Sequence, residues 1–232
     1  VKGVSLGSDG QVVAVADGYA ICTYAYDSRG QIASVDYFDE KGGKFEYYDR
    51  ENHSFYHSYH RIYDNRGNTV RLEFLNKDGE LTRRGCAYKL FYFKEGGDQV
   101  VKELSYRHDG SYWGSDGCVG YAACYNDPGD KNWCTGLTCL KDSVTPVERI
   151  DGVCTKEWEY DNRGNTVAEY YYDARHVPMV NHSGYAGVLR AYDGEDRLLK
   201  EEYFDTKRRP SYANGYACVK YRYDDRGNLT VM

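Results

Sequence analysis

The stretch "GYACVKYRYDDRGN", residues 215–228, alternates aromatic or aliphatic side chains with polar ones and then ends in a Gly-containing turn. Alternation at period two is typical of a half-buried β-strand. In "DDRGN", Asp can hydrogen-bond its own backbone and Gly supplies the positive φ that a reversal requires. The 232-residue chain contains 26 Tyr and repeats close variants of this stretch. The stretch therefore predicts a β-hairpin that is used many times.

The repeat can be indexed from the middle residue of each triplet that resembles "GYA". Seven such anchors follow one another at spacings of 30 to 37 residues. Seven residues after each anchor stands an aromatic residue, except in the fourth unit, where the residue is Pro128. Residues 1–17 match the tail half of an earlier unit, and units of about 31 residues begin near residues 18, 55, 85, 120, 152, 184 and 215. The anchors are Tyr19, Tyr56, Cys86, Tyr121, Val153, Tyr185 and Tyr216.

These units predict an all-β fold. A lone hairpin is only marginally stable in water, so neighbouring hairpins must stack to bury their apolar faces. The small residue that follows the anchor, such as Ala20 or Ala186, suits close stacking. We therefore predict a single array over residues 1–232, built of tandem β-hairpin repeats in an elongated, solenoid-like arrangement, and we expect it to be an excerpt of a longer protein.

Charge and hydropathy exclude several classes of function. The net charge is −6 and the Lys and Arg residues are scattered along the chain, whereas a nucleic-acid binder concentrates positive charge on one face. No run of about 18 apolar residues occurs, so this segment is not expected to span a membrane. We predict neither a nucleic-acid partner nor a membrane span.

Four segments carry a resemblance to a known family. "YAYDSRGQ", "RIYDNRGN", "WEYDNRGN" and "YRYDDRGN" resemble the tyrosine-aspartate (YD) repeats of Rhs-type and teneurin-like proteins. The longer form, which adds "YYD" and a later Gly and Pro, is similar to Tyr-rich repeats in surface proteins of gut and oral bacteria. This resemblance implies an all-β array of hairpins that is often extracellular. It carries over no catalytic residue, because the shared motif is structural.

The fourth unit departs furthest from the pattern. Residues 110–140 contain two of the three Trp residues, Trp113 and Trp133, with Tyr112 and Tyr125 close by. Aromatic rings stack on the apolar faces of sugars, so these four residues are the predicted ligand-binding set. The alternative interpretation is an insertion that fills the repeat array and is held by disulfides or by its own packing.

Half of the eight cysteines lie in the same unit, spaced C-x5-C-x9-C-x4-C. An even number permits disulfides, but sequence does not assign the pairs. Free buried thiols and a metal site remain open alternatives, although structural zinc sites usually begin with closer pairs. The disulfide candidates are Cys118, Cys124, Cys134 and Cys139.

Two clusters of side chains contain residue types that can bind metals. Asn126, Asp127 and Asp130 could offer oxygen ligands to calcium, but "DPGD" is also an ordinary turn and the EF-hand pattern is absent. Three histidines are gathered in "HSFYHSYH", yet alternate strand residues point to opposite faces. We predict no metal and no cofactor. The histidines are His53, His57 and His60.

No H-E-x-x-H or P-loop motif occurs, and we predict that the chain is not an enzyme. The excess of Tyr and the Trp-bearing unit favour a non-enzymatic, extracellular module of a bacterial surface or secreted protein. Such a module would bind a glycan or a cell-wall polymer through its Tyr and Trp surfaces. The alternative is a structural or adhesive stalk, or a scaffold for another protein, with no small ligand.

Overall fold

The computed structural model describes residues 1–114, 117–125, 133–213 and 215–231. Throughout these ranges the chain is all-β, built of successive antiparallel hairpins, which confirms the predicted fold class. Within the same ranges no helix has the length and apolar character needed to cross a membrane. The chain divides into two compact units, Val1–Ser115 and Asp116–Met232, which are described in turn.

The first unit contains a seven-stranded antiparallel sheet. The strands follow the order β1-β2-β3-β6-β7-β8-β9, and β4 and β5 form a separate two-stranded hairpin. Each strand of the sheet therefore pairs with its sequence neighbours once β4–β5 is set aside. The bounds are β1 Lys2–Val4, β2 Ile21–Tyr26, β3 Ile32–Phe38, β4 Tyr47–Asp49, β5 Ser54–Tyr56, β6 Ser58–Tyr63, β7 Thr69–Leu75, β8 Tyr88–Phe93 and β9 Val100–Tyr106.

The second unit repeats this arrangement. Its sheet has the order β10-β11-β12-β13-β14-β15-β16, and β17 pairs with β18 outside that sheet. Adjacent strands are again antiparallel. The bounds are β10 Gly120–Tyr125, β11 Cys134–Leu140, β12 Thr155–Tyr160, β13 Thr166–Tyr172, β14 Gly187–Tyr192, β15 Leu198–Phe204, β16 Cys218–Lys220, β17 Arg222–Tyr223 and β18 Leu229–Val231.

Six hairpins share one register. In each, a six-residue strand pairs with a seven-residue strand, and the register shifts by one residue at the last pair of the first strand. The turn that follows is held by its Asp. In the β6–β7 hairpin, Asp64 Oδ1 accepts the backbone N–H groups of Arg66 and Asn68 at 2.8 and 2.9 Å. This is the Asx turn that the "DNRGN" motif predicts.

A second turn follows each hairpin and brings the chain back for one bridge. The last residue of the returning strand bridges to the residue six positions later, as Tyr172 does to Pro178. The prolines suit this position because the segment makes only a single bridge there. Leu6 and Val12 form the same bridge at the start of the chain, where the sequence matches the tail half of a unit.

Tyrosine hydroxyls link consecutive hairpins. The Tyr that ends the first strand of one hairpin donates a hydrogen bond to the carbonyl of the residue that begins the returning strand of the hairpin before it. This bond explains why the position is so often Tyr, and Phe93 occupies it without a hydroxyl. The bonds are Tyr63 to Ile32 at 2.7 Å, Tyr160 to Cys134 at 2.7 Å, Tyr192 to Thr166 at 3.2 Å and Tyr223 to Leu198 at 3.0 Å.

Several hairpins also share an internal contact between the anchor and the sixth residue of the returning strand. Three hairpins fill it with two rings whose centroids are 4.9 Å apart: Tyr19 with Tyr37, Tyr56 with Phe74, and Tyr185 with Tyr203. In the first unit, the residues Tyr56, Phe74 and Cys86 form the core cluster, which is buried. The residue after the anchor is buried in several hairpins, as predicted for close stacking, including Ala20, Ala87 and Ala186.

The fourth hairpin requires a correction to the predicted register. Every other first strand begins two residues after its anchor, but β10 begins at Gly120. Cys118, and not Tyr121, therefore stands at the anchor position, and Tyr125, and not Pro128, is the aromatic residue that ends the strand. The "GYA" letters at residues 120–122 misled the prediction because these residues already belong to the strand. Pro128 lies outside the described residues.

Candidate functional site

The spacing before the second anchor is 37 residues, six more than the usual unit, and this insertion accompanies the β4–β5 hairpin at residues 47–56. In it, Asp49 lies opposite Ser54. Two hydroxyls attach the hairpin to the repeat behind it: Ser54 Oγ donates to the Cys86 carbonyl at 2.6 Å, and Thr82 Oγ1 donates to the Phe55 carbonyl at 2.6 Å. Both hydroxyl-bearing residues are buried. The insertion is therefore a fixed wall that stands beside the sheet.

Asp49 organises the turn of this wall. Its Oδ1 accepts the backbone N–H groups of Glu51 and Asn52 at 2.9 and 3.0 Å. Its Oδ2 accepts the side-chain amide of Asn52 at 2.6 Å and the Tyr56 hydroxyl at 3.0 Å. Burial of Tyr56, and then the neighbouring Asp49 carboxylate, raise the pKa of its phenol above the usual value. With four donors, Asp49 holds the wall together and retains little capacity for a ligand.

The floor of the site is one face of strands β6, β7 and β8. Tyr59 lies opposite Phe74, and Arg61 opposite Leu72, which itself lies opposite Lys89. Because alternate residues share a face, Phe91 extends this surface along β8. Between the floor and the β4–β5 wall is a concavity of about 330 Å³, which we call the hairpin groove. Its lining includes Asp49, Glu51, Asn52, Tyr59, Arg61, Lys89 and Phe91.

One cation in the hairpin groove has no carboxylate partner. Lys89 Nζ is neutralised by Glu103 Oε1 at 2.7 Å. The Arg61 guanidinium instead lies over the Tyr59 ring, 5.2 Å from the ring centroid, and no carboxylate of the described residues is within ion-pair distance of it. A cation–π contact orients a guanidinium without neutralising it. Arg61 is therefore presented to the groove as an oriented positive charge.

A second concavity, of about 430 Å³, lies in the second unit around Gly136, whose missing side chain deepens the surface. Glu157 Oε1 is 3.4 Å from His176 Nε2, and the Tyr170 hydroxyl donates to Glu159 Oε1 at 3.0 Å. Both carboxylates of this concavity thus already contact a neighbouring side chain. The hairpin groove offers the better combination for a ligand, namely an apolar ring and an oriented charge without an ionic partner.

The predicted binding residues of the first unit are committed to packing. Trp113 is half-buried against the core cluster, and its ring lies 6.0 Å from that of His53. The ring of Tyr112 lies 5.1 Å from that of Tyr106. Trp113 therefore packs against a cluster of which Tyr56 and Phe74 also line the hairpin groove, and Tyr112 extends a stack of aromatic rings.

The predicted residues of the second unit lie on the fourth hairpin. Trp133 is half-buried, and its ring centroid is 5.0 Å from that of Tyr160. Its indole covers Gly164, where an added Cβ would come within 2.8 Å of Trp133 Cζ2. Tyr125 lies opposite Cys134, and burial and then the nearby Cys134 thiol raise the pKa of its phenol. The function of these residues in ligand binding stays a prediction.

All eight cysteines are thiols in this structure. Two of the four disulfide candidates, Cys118 and Cys139, have their Sγ atoms 2.9 Å apart and hydrogen-bonded. Cys124 is exposed and Cys134 half-buried. The disulfide pairing of these four cysteines stays a prediction.

The candidate metal ligands fall into two sets, of which the structure describes only the histidines. Asn126, Asp127 and Asp130 lie outside the described residues. Over the described ranges, no group of three His, Cys, Asp or Glu side chains is placed to hold an ion. His57 Nδ1 lies 3.2 Å from the Phe45 carbonyl, which occupies that ring nitrogen.

The hairpin groove was missed at the level of sequence. Its signal was the 37-residue spacing between the first two anchors, which marks the insertion. The three histidines that suggest a metal cluster lie around the end of this stretch, and the spacing alone does not specify a hairpin. The lining residues Arg61, Lys89 and Phe91 fall on ordinary repeat positions, where nothing in the pattern distinguishes them from solvated strand residues.

Comparison with known proteins yields no family. No protein-family model matches the chain, and no curated protein sequence matches it. The crystal structures of TcdB2-TccC3-Cdc42 and TcdB2-TccC3 align with it at 14% and 16% identity, each with a TM-score of 0.38, over 92% of this chain and 11% of theirs. A Photorhabdus luminescens Tc holotoxin pore aligns at 10% identity with a TM-score of 0.34, over 90% of this chain and 12% of its own. The chain thus spans about a ninth of these solved chains, and identities and scores this low assign neither a family nor a function.

Proposed function

We propose that this chain is a non-enzymatic, extracellular repeat module of a bacterial surface or secreted protein, and that it binds a glycan bearing acidic groups in the hairpin groove. The observation that carries the proposal is the Arg61 guanidinium, which lies against Tyr59 in a concavity also lined by Phe91 and has no carboxylate partner among the described residues. An acidic sugar complements both groups, because its anion can bind the guanidinium and its apolar face can pack on the Phe91 ring.

The chemistry of the groove supports binding without turnover. A pyranose presents an apolar face that packs on an aromatic ring, and Phe91 offers such a ring. A guanidinium binds carboxylate or sulfate groups through paired hydrogen bonds. Asp49, the carboxylate within the wall, already accepts four hydrogen bonds from its own hairpin, so it is poorly suited to act as a base. The extracellular setting is supported by the resemblance to YD repeats.

The groove also contains two carboxylates that oppose an anionic ligand, Asp49 and Glu51. Glu51 is exposed at the rim, where its carboxylate repels an anion. Two substitutions should therefore change the affinity in opposite directions. Arg61→Gln should weaken binding of an acidic glycan roughly tenfold or more, since charge-assisted hydrogen bonds contribute about 1.5–3 kcal/mol. Glu51→Gln should strengthen binding. A neutral ligand would respond to neither substitution.

The experiment is a binding screen of the purified chain against polysaccharides supplied in pairs, with the carboxylates either free or methyl-esterified. Titration calorimetry then compares the wild type with Phe91→Ala and, as the matched control, Tyr92→Ala, which removes an exposed ring from the opposite face of the same strand. The proposal is supported if the wild type prefers the free acid over the ester. This preference should be lost in Arg61→Gln and Phe91→Ala and retained in Tyr92→Ala. Equal binding of acid and ester, or no binding in the whole panel, contradicts it.

A second candidate function is a structural or adhesive scaffold without a small ligand. The tyrosine hydrogen bonds between consecutive hairpins favour it, because they join the repeats and serve no groove. Absence of any glycan binding, together with capture of a purified surface protein by the intact chain, would support this alternative.

A further inference from the structure

The fourth hairpin replaces a pair of packed side chains by a pair of thiols. Three hairpins place two aromatic rings 4.9 Å apart at the contact between the anchor and the sixth residue of the returning strand. With the corrected register, Cys118 stands at the anchor position, and Cys139 is the sixth residue of β11. Their Sγ atoms are 2.9 Å apart. Among the described hairpins, the fourth is thus the only one in which both residues of this anchor contact are cysteine.

We propose that Cys118 and Cys139 form a disulfide that cross-links the fourth hairpin. A disulfide requires an S–S distance of about 2.05 Å, so the two sulfur atoms need to approach by less than about 1 Å. Tyr121 lies opposite Cys139 across the β10–β11 ladder, and the backbone N–H of Val119, next to Cys118, donates to the Leu140 carbonyl at 2.7 Å, so strand pairing holds Cys139 and the residue after Cys118 in place. The bond replaces the ring contact of the other hairpins with a covalent one.

The environment assigns different roles to the two thiols. Cys118 is half-buried, whereas Cys139 is only 4% exposed. The thiol–thiol hydrogen bond between Cys118 and Cys139 lowers the pKa of Cys118 to about 6, and its hydrogen bonds with the backbone and Tyr121 act in the same direction. The same contact raises the pKa of Cys139. Cys118 is therefore the accessible thiolate and Cys139 the buried resolving thiol.

The oxidant is a small-molecule disulfide such as oxidised glutathione. The Cys118 thiolate attacks one of its sulfur atoms, which forms a mixed disulfide and releases one glutathione thiolate. Cys139 then loses its proton and attacks the Cys118 sulfur, which forms the internal bond and releases the second glutathione. The two protein thiols lose two electrons and two protons in total, and the two released glutathione molecules accept both.

The test uses the full chain, incubated with mixtures of oxidised and reduced glutathione, quenched with acid and alkylated before peptide mapping by mass spectrometry. We expect Cys118 and Cys139 to be recovered as linked peptides lacking two hydrogens. The exposed thiol Cys218 reports that the oxidant was effective by forming a glutathione adduct. A link of Cys118 to Cys124, Cys134 or Cys154, or recovery of both thiols alkylated while Cys218 is modified, would overturn the proposal.

The melting temperature provides a second test that does not depend on alkylation and peptide mapping. We expect the melting temperature of the wild type to rise by several degrees on oxidation, because the bond restricts the unfolded chain between residues 118 and 139. Cys139→Ser should show no such dependence, whereas the control Cys124→Ser should keep it. If Cys139→Ser does not fold, Cys118→Ser, altered at the more accessible position, provides the same comparison. A melting temperature that is equal in the oxidised and reduced wild type would also contradict the proposal.

Discussion

The phenol of Tyr160 donates a hydrogen bond to the backbone carbonyl of Cys134, and the two oxygen atoms lie 2.7 Å apart. Tyr160 ends the first strand of one hairpin, and Cys134 begins the returning strand of the hairpin before it. The same relationship recurs at Tyr63, Tyr192 and Tyr223. The Tyr of the YD motif is thus a connection between repeats, and the Asp that follows it closes the turn within one repeat.

Removing one of these hydroxyls should destabilise the array. Tyr63→Phe deletes the bond to the Ile32 carbonyl and should lower the free energy of unfolding by about 1 kcal/mol. Tyr26→Phe is the matched control, since Tyr26 occupies the same position in the first complete hairpin and is 47% exposed. Urea denaturation measures the free energy of unfolding of both variants and of the wild type. Equal stability of Tyr63→Phe and wild type would mean that the bond contributes nothing.

The reverse substitution should stabilise the chain. Phe93 occupies the position of the connecting Tyr but has no hydroxyl, so Phe93→Tyr should raise the free energy of unfolding by up to about 1 kcal/mol. Thermal and urea unfolding measure the change. Destabilisation would show that the third hairpin approaches its predecessor too closely for the added oxygen.

Gly164 should tolerate a side chain less well than other turn glycines. Its φ is +100°, and an added Cβ would lie 2.8 Å from the Trp133 ring. Gly30 has a φ of +79° and open space around it, so Gly30→Ala pays the left-handed strain alone, about 1–2 kcal/mol. Gly164→Ala should cost about 1 kcal/mol or more beyond that, because Trp133 must move. Urea denaturation compares the two variants, and equal losses would mean that Trp133 does not cover the turn.

The turn aspartates should make stability depend on acid pH. Hydrogen bonds from the backbone of Gln31 and Arg29 lower the pKa of Asp27, and those from Val144 and Thr145 lower that of Asp142. A carboxylate with a lowered pKa contributes stability that is fully present above its ordinary value of 3.8 and is lost as the pH falls through the lowered pKa. The pKa is also lowered at the other turn aspartates, which are Asp64, Asp109, Asp161, Asp173, Asp193, Asp205 and Asp224.

Acid unfolding followed by circular dichroism checks this expectation. Asn76 makes the same pair of turn hydrogen bonds as the aspartates but cannot titrate. Changing Asp27 and Asp142 to Asn together should therefore make the acid transition shallower, while the control Asp225→Asn leaves it unchanged. A transition that lies well above pH 4 and is insensitive to these changes would point to a different titrating group.

Asp49 should be the residue on which the β4–β5 wall depends. Asp49→Ala removes four hydrogen bonds and leaves the buried Tyr56 hydroxyl without its acceptor, so the free energy of unfolding should fall by at least about 2 kcal/mol. Glu51→Ala, two residues away and exposed, should change it by less than about 0.5 kcal/mol. Denaturant titration separates the two. A neutral Asp49→Ala variant would show that the wall is held by its hydroxyl anchors alone.

The sequence was sufficient for the repeated part of this fold. Period-two aromatic residues and the Asp-x-x-Gly turns determine the hairpins, because their effect is local. The register of the fourth hairpin was mistaken since Tyr121 and Ala122 imitate the anchor triplet within a strand. The hairpin groove was not predicted because it is formed between an insertion and strand positions such as Arg61, and sequence spacing does not report such non-local proximity.

The insertion that carries the β4–β5 hairpin lies between the end of one hairpin and the first strand of the next, and the register of the flanking β3–β6 pair is the same as that between other repeats. Residues can thus be inserted into this connection without changing the strand pairing on either side of it. Evolution and protein engineering therefore have a position in each repeat where recognition can be diversified by insertion, separately from the scaffold. A tandem array of this kind supplies as many such positions as it has junctions between hairpins.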